Sequence, residues 1–194
     1  VAISKVCVFA AASRRVDAGY FQQARALGAS LASRGMTLIY GGGNNGLMGA
    51  LADSALEAGG KVIGVLPRFM DEVEWGHRNL TELRLVETME DRLGGMLSEA
   101  EAFITLPGGT GTLEELFFIL SRKRLGLHIG PVVIVNYKGY FDPTLAALDR
   151  CVSEKFLDQR HASMWTVAPD AESAVEVMLA SPAWDAGARG FAIP

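Results

Sequence analysis

Two cysteines in 194 residues leave the chain almost nothing to staple itself with. Cys7 falls in an apolar run and Cys151 in a helical pattern, so both read as small core residues in a reducing cytoplasm. Three histidines (His77, His128 and His161) lie far apart. No Cys/His spacing suits a metal ligand set, and no metal is expected. Apolar runs of the ~20 residues that cross a bilayer are also missing. The opening Val1-Ala2-Ile3-Ser4-Lys5 lacks the layout of a signal peptide, so a cytoplasmic protein away from membranes is expected. Positive charge is in deficit: 18 Lys and Arg against 22 Asp and Glu leave a net charge of −4. That disfavours a general nucleic-acid binder, whose contact face is basic. Repeats and low-complexity tracts are absent too.

What the chain does have is alternation. Short apolar runs at Lys5–Ala10, Met36–Tyr40, Lys61–Leu66, Thr81–Val86, Ala102–Leu106, Pro131–Val135 and Met164–Val167 read as strands. Helical patterns follow most of them, over 17–34, 47–58, 89–100, 113–125, 141–156 and 170–179. Thr88 and Asp170 stand where caps belong, and Gly35 where a helix should close. Residues 67–80 show little regular pattern and a mixed charge cluster, in which an exposed Trp75 stands out. Strand and helix in this order predict an α/β fold: a single-domain doubly wound parallel sheet, Rossmann-like, with helices on both faces. The domain is expected over residues 1–180, with 181–194 as a C-terminal tail draped on a partner subunit or loose. In such sheets ligands bind beyond the strand carboxyl ends, where the strand order reverses. A Rossmann-like order would set strand 5–10 beside strand 102–106.

Glycine, 22 residues in all, is concentrated where those strands end. Leu106-Pro107-Gly108-Gly109-Thr110-Gly111-Thr112-Leu113-Glu114-Glu115 reads as strand, turn and helix. Pro107 stops the ladder, and Gly108, Gly109 and Gly111 let an anion approach the unpaired amides of the helix start. Thr110 and Thr112 add hydroxyls, so the turn reads as a phosphate seat. Glu115 follows Thr112 by three residues, which fits a capping box as well as it fits a catalytic acid, and on spacing alone both stand. A second turn, Gly41-Gly42-Gly43-Asn44-Asn45-Gly46, satisfies G-x-G-x-x-G. It follows the second strand, and no acidic residue ends the next one, so a dinucleotide site is disfavoured. Gly42 and Gly43 there, and Ser13 after the first strand, are candidate substrate contacts. Arg92, on the helix after Thr88, has the side chain best shaped to clamp a phosphate.

Pro107 to Glu115 resembles the P-G-G-x-G-T-x-x-E signature of the LONELY GUY family, phosphoribohydrolases of cytokinin riboside 5′-monophosphates. Cys7-Val8-Phe9, Tyr40-Gly41-Gly42-Gly43, Gly46-Leu47-Met48-Gly49, Val62-Ile63-Gly64-Val65, Leu125-Gly126-Leu127-His128 and Gly139-Tyr140 are similar to family blocks in family order. The resemblance runs from about residue 5 to 180. It implies hydrolysis of the N-glycosidic bond of a nucleoside 5′-monophosphate, to free base and ribose 5-phosphate, with no cofactor. It implies catalytic roles for Glu115 and Arg92, a substrate contact at Glu74, a monophosphate loop over Gly108–Glu114, and homodimers or assemblies of dimers.

Several positions depart from the family pattern. Leu93 stands where a lysine follows the arginine, Ala11-Ala12 where Gly-Ser is usual, and Asn44-Asn45 where a small residue and valine are common. Phe118 and Arg122 replace an acid and a tryptophan. All border the expected base pocket and leave open which base is preferred. No lysine marks a pyridoxal-phosphate site, which disfavours the decarboxylase description once given to the family. The alternative is a non-catalytic carrier of a nucleotide or of molybdenum cofactor, since such carriers share the glycine loop.

Overall fold

A computed structural model of the chain describes residues 3–73 and 75–193. Seven strands, β1 (Lys5–Phe9), β2 (Thr37–Tyr40), β3 (Val62–Pro67), β4 (Glu82–Val86), β5 (Ala102–Thr105), β6 (Val132–Val135) and β7 (Thr166–Ala168), form one parallel sheet. Their order is β4-β3-β2-β1-β5-β6-β7, so β1 pairs with both β2 and β5. The doubly wound reading holds, including the expected pairing of the first strand with the fifth.

Alternation within each strand feeds two cores. Val6 and Val8 of β1 point to one face, covered by α1 (Ala18–Ser33), α2 (Gly46–Glu57) and α7 (Ala171–Ala180). Cys7 and Phe9 point to the other, covered by α4 (Met89–Leu97), α5 (Thr110–Arg124) and α6 (Asp142–Ser153). The caps read from the sequence are made: Thr88 accepts from the Asp91 amide at 3.0 Å and Asp170 from that of Ser173 at 2.9 Å.

Two stretches differ from expectation. Arg68–Glu72, read as irregular, form a short helix, α3, which starts directly after Pro67. Five residues of mixed charge carry too little apolar periodicity to announce a helix. More consequentially, α5 begins at Thr110, and Gly109 is its N-cap. The apolar periodicity starts only at Leu113 because the first turn lies over open solvent: Gly109, Thr110 and Gly111 are exposed.

The last described residues, 181–193, lie on their own chain. Trp184 Nε1 donates to the Lys123 carbonyl at 2.6 Å, and Arg124 Nε to that of Ala192 at 3.0 Å. Phe191 sits under the Arg160 guanidinium, 3.8 Å from ring centre to Cζ, beside the buried His161. The basic end of α5, Arg122 to Arg124, carries charge of the sign that suits a helix dipole. Lys123 is nonetheless almost wholly buried, and its Nζ donates to the Gly130 carbonyl at 2.6 Å. No helix among the described residues is long and apolar enough to cross a membrane.

Candidate active site

The strand order reverses at β1, and a cleft of about 360 Å³ opens there, beyond the carboxyl ends of β1, β2, β3 and β5. Its lining follows the ends of four strands that are neighbours in the sheet: Ala10 to Ser13 after β1, Gly41, Gly43 and Asn45 after β2, Met70 of α3 and Trp75 beyond it after β3, and Gly109 with the first turn of α5, Thr110 to Thr112, after β5. Arg92 and Met89 reach in from α4, and Glu115 from α5.

Two helix starts face this space. In α5 the first amide bonded back is that of Leu113, to the Gly109 carbonyl at 3.0 Å. The amides of 110–112 precede that bond, and the positive end of the helix dipole lies with them. Gly109 has no side chain to cap them, so their donors are left for a ligand. The start of α2 is drawn against the first turn, where a Cβ on Gly46 would lie 2.5 Å from the Ala12 carbonyl carbon. The φ of +61° at Gly46 adds a second reason for glycine.

Glu115 and Arg92 meet at the cleft wall. Nη1 of Arg92 donates to Oε1 of Glu115 at 2.9 Å, and the two side chains are only 11% and 10% exposed. Nε of Arg92 is buried and has no partner among the described residues. Burial raises the pKa of Glu115, and the Arg92 charge and hydrogen bond pull it back down. The capping-box reading of Glu115 does not survive: Gly109 is the cap, Thr112 lies within the helix, and the carboxylate is bonded across to α4.

The other expected site residues divide. Ser13, Gly43, Gly109, Thr110, Gly111 and Thr112 line the cleft. Gly42 lies behind its neighbours, its carbonyl accepting from the His77 amide at 3.0 Å. Gly108 is buried behind the turn, with its carbonyl bonded by the Tyr140 hydroxyl at 2.7 Å. Glu114 opens onto a smaller hollow of about 160 Å³ with Glu90, Leu93 and Phe118, which shares Met89, Arg92 and Glu115 with the cleft. Glu74 lies outside the described residues.

Gly41 was missed. A Cβ there would lie 1.8 Å from Nη2 of Arg92, so the guanidinium fills the volume a side chain would take. The signal was present: three consecutive glycines, when a G-x-G turn requires only two. Gly41→Ala is expected to displace Arg92 and lower kcat/KM by roughly tenfold, since small misplacements of site groups are costly. The yielding atom is the tip of a flexible side chain, so thermal unfolding should move little.

Comparison with known proteins places this cleft among relatives. Residues 48–178 match the model of a family described as possible lysine decarboxylase. A protein of Rhodococcoides fascians named cytokinin riboside 5′-monophosphate phosphoribohydrolase is 39% identical over 171 residues, 88% of this chain and 86% of that one. A probable cytokinin riboside 5′-monophosphate phosphoribohydrolase of Oryza sativa subsp. japonica is also 39% identical over 171 residues, covering 88% and 75%. Among solved structures, the molybdenum cofactor carrier protein of Chlamydomonas reinhardtii superposes with a TM-score of 0.70, covering 92% and 99% of the two chains. At 22% identity that likeness speaks for the fold alone.

Proposed function

The chain belongs to the LONELY GUY family, and from that membership we propose that it hydrolyses the N-glycosidic bond of a nucleoside 5′-monophosphate of the cytokinin riboside class. The products are the free base and ribose 5-phosphate. The observation that carries the reading is the buried Glu115–Arg92 pair, 2.9 Å apart, on the wall of a cleft that also holds the uncapped start of α5.

The 5′-phosphate rests on the amides of 110–112, where the dipole of α5 favours an anion. This anchoring takes no part in bond breaking and supplies the positioning that the reacting centre needs. As the bond from C1′ to the base nitrogen breaks, positive charge builds on the ribose ring. The Glu115 carboxylate stabilises that charge and accepts a proton from the attacking water. The hydroxyl goes to C1′ and a proton to the leaving base nitrogen, so the reaction balances. Arg92 holds the carboxylate ionised and aimed. A carrier has no need of a buried acid held beside its ligand, so the pair favours turnover over storage.

Base release from matched nucleosides and their 5′-monophosphates tests the reading. The monophosphates should be turned over, with kcat/KM roughly ten- to a hundredfold above the nucleosides, the worth of charge-assisted bonds to one phosphate. Equal rates with and without the phosphate would remove the anchor from the scheme.

The same reading takes residues 1–180 as one hydrolase domain working in the cytoplasm as a homodimer or an assembly of dimers. Phe117 and Phe118, exposed on the outer side of α5, offer apolar surface that a second copy would cover.

A further inference from the structure

The sheet order sets the two ends of the cleft apart. The amides of 110–112 stand over β5, whereas Met48, Leu66, Met70 and Trp75 line the cleft beyond β2 and β3. Three strand spacings, roughly 14 Å, separate those ends. A nucleotide anchored at the first end must therefore send its base toward the second.

That second end is apolar and holds an aromatic in the open. Trp75 is 52% exposed, unusual for a side chain of its size, and it borders both the cleft and the adjoining trough of Ser13, Arg14 and Asn45. Its backbone is fixed. The Asn44 amide donates to the Trp75 carbonyl at 2.9 Å, the Trp75 amide to the Met70 carbonyl at 3.1 Å, and Gly43 bridges antiparallel to Gly76. The buried His77 clasps the same segment to α2, with Nε2 2.9 Å from Asp53 and Nδ1 accepting from the Asn79 amide at 3.2 Å. With its main chain held and its side chain half in solvent, Trp75 has had part of its ordering cost met in advance and is left open to a ligand.

We infer that Trp75 stacks on the nucleobase and, with the thioethers of Met48 and Met70, sets base preference by face area rather than by hydrogen bonds. This rests on the hydrolase reading for the anchor of the phosphate. Stacking tolerates any base with a broad π-face, and thioethers adapt to substituents on it. Purine nucleotides should therefore be favoured over pyrimidine ones.

Trp75→Ala should raise KM for AMP roughly ten- to a hundredfold and move kcat by less than about threefold, while Trp75→Phe stays within about threefold of the parent in both. AMP should quench the tryptophan fluorescence of the parent protein, ribose 5-phosphate should not, and the quench should vanish in Trp75→Phe. The thermal midpoints of both variants serve as the folding control. An unchanged KM in Trp75→Ala, or equal quenching by ribose 5-phosphate, overturns the stacking role. Quenching by AMP without base release from any nucleotide would instead sink the hydrolase reading and leave the stacking in place.

Discussion

Glu115→Gln will stop base release while nucleotide binding persists. The amide keeps the size of the carboxylate and can still accept from Arg92, but it neither takes a proton from water nor offsets the charge on the ribose. A fall in kcat of about 10²–10⁴-fold is expected, the usual worth of a positioned acid–base group. The proposed phosphate seat lies a turn earlier on α5 and does not use this side chain, so titration with a nonhydrolysable nucleotide should give an affinity within about threefold of the parent. Undiminished turnover in this variant would leave the buried pair with a structural role only.

Arg92→Ala is expected to act twice. It removes a cation from the cleft wall, at a cost of about a hundredfold in kcat/KM. It also changes the titration of the acid it faces. Burial already raises the Glu115 pKa, and the Arg92 charge opposes that rise. The working form is the ionised one, so activity grows as pH climbs through the raised value. The acid limb of the parent profile should therefore lie above the ordinary glutamate value of about 4.3. Without the arginine the opposing pull is gone, and the limb must move further toward neutral pH. Arg92→Lys, which restores a charge without the fork, should return most of the limb and only part of the rate. A limb that stays put in Arg92→Ala would detach it from Glu115.

Much of this was readable beforehand, for reasons that also explain what was not. The five inner strands announce themselves as apolar runs because they are buried on both faces, and the half-exposed edge strands β4 and β7 show as weaker ones; all seven were found within a residue or two. Strand order could be named only as an expectation, because pairing partners leave no mark on sequence spacing. The start of α5 was placed late because exposed residues carry no apolar period, and that shift alone turned Glu115 from a plausible cap into a buried acid. Leu106 to Thr112 could be read as strand, turn and helix start because glycine at such a turn has a steric meaning. Gly41 showed only as a third consecutive glycine, since the guanidinium it accommodates arrives from a helix some fifty positions later. The burial of Lys123 left no mark for a similar reason: its acceptor, the Gly130 carbonyl, sits on the return loop.

The central place of β1 has a consequence for synthesis. It is the first strand made, yet β5, its neighbour on the phosphate side, arrives far later, as the bond from the Ser4 amide to Glu101 across 97 positions illustrates. Until that late strand docks, a growing chain owns the glycines of its second turn and the indole wall but neither the anion seat nor the acid. On the proposed reading, the anion seat and the acid thus join the site in one closing step, after the second glycine turn and the indole wall are already made.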